Sequence, residues 1–192
     1  MAEFHVIHEG YLRTDDDRVG STTSLARDGG VIVVVDPGLA RSRSAILDPL
    51  AALEIEPNDV TDVVISHHHP DHTLNVALFP SARVHDHWGW YRDDLWISRP
   101  ADGFELSAGV RLIETPGHSP QDVSTLVETD DGLIVATHLW WTSSLPVEDD
   151  ETPFADADAL HRNRARVLAL PGLARIVPGH GAPFVPDGDT PS

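Results

Sequence analysis

The chain has no cysteine among its 192 residues. Disulfides, thiolate metal ligands and a cysteine nucleophile are therefore excluded. Long apolar runs are missing too. The longest aliphatic run, Val31 to Val35, falls far short of the roughly 20 residues that cross a bilayer. The first ten residues carry Glu3, His5, His8 and Glu9, which leaves no apolar signal-peptide core, so a cytoplasmic protein without a membrane partner is expected. Positive charge is scarce. Lys and Arg total 13 against 31 Asp and Glu, a formal net charge of −18. Phosphate backbones are bound by clustered basic side chains, so no nucleic-acid partner is expected. The basic residues that do cluster are Arg162, Arg164, Arg166 and Arg175. At helical spacing Arg162 and Arg166 share a face while Arg164 points elsewhere, which reads as a solvated helix face. There is no G-x-S-x-G elbow for a serine nucleophile.

The elements that remain predict one domain, residues 1–185, with a disordered tail over 186–192. Strands are expected at Phe4–Leu12, Ser21–Arg27, Val31–Val35, Val60–Ile65 and Ala82–His85, then at Phe104–Leu106, Val110–Thr115, Val123–Glu128, Gly132–Thr137 and Ala174–Val177. They are apolar or alternating runs bounded by Asp, Gly and Pro turns. Helical periodicity covers Arg41–Leu53, with Pro49 as a blemish, and Ala155–Leu170; Pro70 suits the first turn of a helix through Leu78. Asp86–Pro100 and His138–Glu151 read as irregular, aromatic stretches. Sheets with helices packed outside, as a helix–sheet–sheet–helix sandwich, fit this order.

The chemistry concentrates at Ser66 to His72, where His67, His69, Asp71 and His72 form the pattern H-x-H-x-D-H directly after an apolar strand. Imidazoles and carboxylates converging from a rigid base suit a metal. Three further histidines, His118, His138 and His180, each stand just past a predicted strand. Side chains from distant segments meet at such ends, so all of these are expected to share one site.

With these motifs in place, the chain resembles the metallo-β-lactamase-fold hydrolases from about Phe4 to Phe184. The resemblance rests on Val35-Asp36-Pro37-Gly38, Ser66 to His72, Thr115-Pro116-Gly117-His118, Thr137-His138 and Pro178-Gly179-His180-Gly181. It implies a four-layer αββα sandwich with one or two divalent metal ions between the sheet edges, usually zinc, with iron or manganese as alternatives. By the resemblance, His67, His69 and His118 hold the first metal, and Asp71, His72 and His180 the second. His68 points away between ligands. Asp36 either orients a ligand histidine or caps the turn before Pro37, and Asp122 is a further candidate for supporting a ligand. Many two-metal members carry a bridging Asp where this chain has His138. A neutral imidazole has one free lone pair and cannot bridge. His138 is then a terminal ligand, the mark of a weak second site, or turned away.

The reaction implied is attack of a metal-activated hydroxide on an ester, lactone, thioester, amide or phosphoester of a small molecule, with Asp71 passing a proton. The alternative is a non-catalytic metal-binding or ligand-sensing protein on the same scaffold. All five Trp fall in two stretches. Trp88, Trp90, Tyr91, Trp140 and Trp141 either form an aromatic rim or pack loops, with Trp140 or Trp141 expected nearest the site. Over these 192 residues neither the added helical domain of a glyoxalase II nor the inserted domain of the nuclease branches is expected. It resembles an RNA-linked branch somewhat over His69–Phe79, but the acidity opposes that reading. The oligomeric state is open, with a homodimer among the options.

Overall fold

Alternation along the strands sorts the apolar residues into three separate clusters, and three clusters between packed layers require four layers. In the computed structural model, which describes residues 1–13, 15–144 and 155–192, one sheet runs β1 (Glu3–His8), β4 (Thr23–Asp28), β5 (Val31–Val35), β6 (Asp62–Val64), β7 (Arg83–His85), β8 (Gly89–Arg92) and β9 (Leu95–Ser98). The second runs β10 (Glu105–Ser107), β11 (Val110–Glu114), β12 (Val123–Thr129), β13 (Gly132–Ala136) and β14 (Leu173–Val177). Val33 and Val35 of β5 join Ile134 and Ala136 of β13 between the sheets. Val34 of β5 turns the other way, onto Ile46 and Leu50 of helix α1 (Ser44–Ala52). Leu133 and Val135 of β13 turn onto Leu160 and Val167 of helix α3 (Ala157–Leu168). The αββα sandwich is thus present.

Several elements differ from expectation. The first predicted strand is two, β1 and β2 (Tyr11–Arg13), and β2 pairs with β3 (Arg18–Gly20) as a separate hairpin. The helix expected from Pro70 to Leu78 is one turn, α2 (Pro70–Thr73), followed by a 3-10 turn at Val76–Leu78. Asn75 breaks it because its N–H donates to the Pro37 carbonyl and its side-chain amide to the Gly38 carbonyl, at 2.9 and 2.7 Å. The stretch 86–100 is not irregular: β8 and β9 form a hairpin whose turn uses Asp93 at φ 54°, a left-handed conformation Asp tolerates. The part of the predicted aromatic stretch from 145 onward lies outside the described residues. The terminal residues, expected to be disordered, make defined contacts. Thr190 bonds back to Asp187, and the Pro191 carbonyl accepts from Trp140 Nε1 at 3.0 Å. Arg164 is not on a solvated face. It is buried, its Nε donates to the Leu139 carbonyl at 2.8 Å, and its guanidinium lies over Trp140.

Strand ends deliver the site. Asp36 follows β5, His67 lies three residues past β6, and His138 and His180 follow β13 and β14. The sheets are joined there. Val123 N–H donates to the Ser66 carbonyl, and the buried hydroxyls of Thr115, Ser124 and Thr137 form a chain of 2.7 Å bonds across β11, β12 and β13. Among the described residues, no helix is long and apolar enough to cross a membrane.

Candidate metal centre

The H-x-H-x-D-H loop is held from below by the turn after β5. Asp36 sits at φ 50°, a costly conformation for a residue with a side chain. Its carboxylate accepts from Ser66 N–H at 2.7 Å and from His72 Nδ1 at 2.8 Å. Gly38 lies so close to the loop that a Cβ there would overlap the Asp71 carbonyl. Of the two roles open to Asp36, the geometry therefore supports orienting a ligand histidine. With Nδ1 held by Asp36, His72 turns Nε2 inward, where a bound ion would displace the proton that nitrogen carries in the metal-free protein.

Two groups of donor atoms form. His67 Nε2 lies 2.9 Å from His69 Nδ1, which lies 3.0 Å from His118 Nε2. Asp71 Oδ2 lies 3.3 Å from His72 Nε2 and 3.6 Å from His180 Nε2. His180 donates its Nδ1 proton to the Gly20 carbonyl at 3.1 Å, which leaves Nε2 as an acceptor. Within each triad the donor atoms all lie within 4.8 Å of one another. Imidazole nitrogens about 2.0–2.1 Å from a tetrahedral zinc stand roughly 3.3 Å apart, close to the spacings here. His72 Nε2 is buried and faces Asp71 Oδ2 at 3.3 Å, so a bound cation would take up both groups as donors. The donor set fits one or two divalent ions.

His138 is not turned away. Its buried ring stands 4.5 Å from that of His67, 4.2 Å from His118 and 5.0 Å from His180, centroid to centroid. Its Nε2 is 3.1 Å from His180 Nε2. It also forms a third donor group with His67 and His72.

Burial and neighbouring charge set the protonation. Burial and the other imidazoles push His67 and His138 well below the ordinary value, and His180 to about 4. Neutral imidazole is the form that binds a metal. His72 goes the other way, to about 9: burial opposes its charge, but Asp36 and Asp71 outweigh burial. Burial raises Asp71 and the facing imidazoles lower it further, to about 2. The same burial pushes Asp122 up to about 6 despite its bonds to Ser119.

Asp122 does not bond a ligand ring. Its carboxylate accepts from Ser119 N–H at 2.8 Å and from Ser119 Oγ at 2.7 Å, pinning the loop that carries His118. His68 points away, as expected, stacking on Trp88 at 5.0 Å with Nε2 3.1 Å from Asp86. A cavity of about 230 Å³ opens over the donors, lined by Leu12, Val19, His69, Asp71, His118, His138, Trp141 and His180. Trp141 is the one expected rim residue that lines it. Trp140 packs the other way, against Phe184 in the α3-side core, because adjacent residues project to opposite sides. Trp90 lies beside Arg83, and the Tyr91 hydroxyl donates to Asp86. Sequence reasoning missed Leu12 and Val19. They sit on the β2–β3 hairpin, which no local signal placed over the site.

Residues 16–109 match the model of the metallo-β-lactamase superfamily. The chain is 36% identical over 174 residues to metallo-β-lactamase domain-containing protein 1 of Mus musculus and 35% identical to that of Rattus norvegicus. Each match covers 86% of this chain, with 65% of the mouse protein and 67% of the rat protein.

The chain belongs to the metallo-β-lactamase superfamily.

It spans about two thirds of the length of these relatives. A crystal structure of a metallo-β-lactamase-like protein from Thermotoga maritima superposes with a TM-score of 0.75 at 20% identity, over 96% of this chain and 99% of that one. Curated members at 27–30% identity include an atrochrysone carboxyl ACP thioesterase of Aspergillus fumigatus, an N-acyl homoserine lactonase of Bacillus cereus and a hydroxyacylglutathione hydrolase of Glaesserella parasuis. These matches cover 85%, 68% and 77% of this chain, and 51%, 55% and 60% of the relatives. The superfamily includes metal-dependent hydrolases.

Proposed function

We propose that this protein is a metal-dependent hydrolase acting on an ester, lactone or thioester carbonyl of a small, partly apolar molecule, with amides and phosphoesters as the wider class. The observation that carries this is the convergence of the donor triads at the floor of a cavity whose other walls are Leu12, Val19 and Trp141. His67, His69 and His118 would hold one divalent ion. Asp71, His72 and His180 would hold a second, with His138 as its further ligand. Imidazole and carboxylate donors suit zinc, and also iron or manganese. When bound, such an ion supplies Lewis acidity and brings the pKa of a water to about 7.

The chain's own residues do the rest. Asp36 and the Gly20 carbonyl fix the tautomers of His72 and His180. Asp71 is ionised and lines the cavity, so it can take a proton from the attacking water and return it to the leaving group. Leu12, Val19 and Trp141 seat the apolar part of the substrate and displace water. The partner proposed is therefore a small molecule in the cytoplasm, not a nucleic acid or a membrane.

A second reading, a non-catalytic metal-binding or ligand-sensing protein, is favoured by one observation: His138 stands between the half-sites, where an imidazole cannot bridge two ions. Metal-loaded protein assayed on esters, γ-lactones, thioesters and phosphodiesters separates the two. Turnover that disappears in the His67→Ala/His69→Ala double variant supports the hydrolase. Metal-loaded protein silent on every class supports the sensor.

A further inference from the structure

Two loops supply the first donor triad, one after β6 with His67 and His69 and one after β11 with His118. Their roots are tied together, since Val123 N–H donates to the Ser66 carbonyl at 2.9 Å. Between the loops lies a second cavity of about 310 Å³, lined by His67, His68, His69, Ser119, Pro120 and Gln121. His69 also lines the first cavity, under Leu12, Val19 and Trp141. The triad thus stands between two open spaces, and a group held there can extend into both.

The two spaces differ in chemistry. The first offers the apolar side chains Leu12, Val19 and Trp141. In the second, most polar groups are already engaged. Ser119 Oγ donates to Asp122 at 2.7 Å and accepts from Gln121 N–H at 3.3 Å. His68 is held by Asp86 and Trp88. The side-chain amide of Gln121 is half-buried and makes no hydrogen bond among the described residues. It offers two donors and an acceptor, which match an uncharged group that both accepts and donates. An anion would want a charge-assisted partner, and among the described residues neither cavity is lined by Lys or Arg. Arg13 and Arg18 of the β2–β3 hairpin are paired with Asp16, and residues 145–154 contain no Lys or Arg. A metal ion would answer charge at the reacting carbonyl; charge carried into the second cavity would have to be answered by its wall.

Resting on the hydrolase reading above, we propose that the substrate is bipartite. Its apolar acyl group lies in the first cavity, and an uncharged, hydrogen-bonding leaving group lies in the second, selected by Gln121. In the reaction the oxygen of water bonds to the acyl carbon and the bond from that carbon to the leaving oxygen breaks. The proton taken up by Asp71 passes to the departing alkoxide, giving a carboxylic acid and a free alcohol. A wall that hydrogen-bonds the leaving group discriminates against an isostere that leaves the wall unpaired.

The glycolamide, glycolate and isobutyl esters of hexanoic acid test this, because their leaving groups share one shape and are neutral polar, anionic and apolar. Each is assayed with the metal-loaded full chain and with Gln121→Leu, and the change on substitution cancels the esters' intrinsic reactivities. The expected result is a fall in kcat/KM of about 10-fold for the glycolamide ester, with the isobutyl ester within about 2-fold of wild type and metal content and circular dichroism unchanged. Equal effects on all three esters, or the largest effect on the glycolate ester, overturn the proposal. Calorimetry with the matching hexanoyl amides reads the same cavity without turnover. Hexanoyl glycinamide is expected to bind about 10-fold tighter than hexanoyl isobutylamide, and Gln121→Leu should erase that preference. Gln121-dependent binding with no ester hydrolysed would sink the hydrolase reading and leave the second cavity assigned. Binding that ignores Gln121 would sink the assignment whatever the activity.

Discussion

The ring of His138 rests on the bare Cα of Gly179. A Cβ built on Gly179 would lie 2.4 Å from His138 Cδ2 and 2.8 Å from its Nε2, closer than real contacts allow. The Pro178-Gly179-His180-Gly181 turn thus does two things at once: it delivers His180 and leaves room for the imidazole that meets it.

Gly179→Ala is therefore expected to push His138 off its position and to weaken the second metal selectively, by about 10–100-fold. Competition titration with a chelator reads the two affinities separately. Gly181→Ala is the control, because a Cβ there meets Thr142 at an ordinary 3.5 Å. Equal metal binding by wild type and Gly179→Ala would show that His138 is not a ligand.

The stability of the metal-free protein should peak near pH 6.5. His72 has its folded pKa raised from 6.5 to about 9, so its contribution is complete below pH 6.5 and is lost as pH rises through about 9. His180 has its folded pKa lowered to about 4, so its contribution is present above pH 6.5 and is lost as pH falls through about 4. Thermal melts in chelator at pH 4.5, 6.5 and 9 check both slopes. Asp36→Asn removes the main opposing charge at His72 and should flatten the alkaline side; an unchanged alkaline slope would contradict the assignment.

The two adjacent tryptophans should separate function from folding. Trp140 is fully buried and packs on Phe184, while Trp141 lines the cavity. Trp140→Ala is expected to cost about 3–5 kcal/mol of stability in urea unfolding. Trp141→Ala should leave stability within about 1 kcal/mol and raise KM for substrates with an apolar acyl group. The reverse pattern would mean that Trp140 faces the substrate.

A buried network on β6 and β7 supplies a further contrast. Asp62 is fully buried and bonds His85 Nε2 and Arg83 Nε, both at 2.8 Å. Burial raises its pKa, but these partners and Thr61 lower it further, so it is ionised at neutral pH. Asp62→Ala is expected to cost about 3–5 kcal/mol by stranding the buried His85 and the Arg83 charge, with metal affinity unchanged in the folded fraction. Loss of metal binding in folded protein would tie this network to the site.

Much of the molecule was legible because its signals are local. The strand ends, the Asp-Gly turns, the runs of Val31–Val35 and Val60–Ile65, and the H-x-H-x-D-H spacing each follow from neighbouring residues. What was not legible depends on distant partners. Asn75 ends a helix by bonding to Pro37 and Gly38. The β8–β9 hairpin turns at Asp93 without a glycine and carries apolar residues on exposed positions, so no alternation marked it. The inward face of Arg164 is set by the Leu139 carbonyl. At the site, the seven proposed ligands were each marked by a local motif or a strand end. Leu12, Val19 and the need for glycine at 179 were not, because they come from a separate hairpin and from the approach of two loops about 40 residues apart in sequence.

The most direct measurement is anomalous diffraction from crystals of the metal-replete protein, collected on both sides of the metal's absorption edge. The expected result is a peak bonded to His67 Nε2, His69 Nδ1 and His118 Nε2, and a second bonded to Asp71, His72 and His180 with His138 as a further ligand. No anomalous peak within bonding distance of His67, His69 and His118 would contradict it.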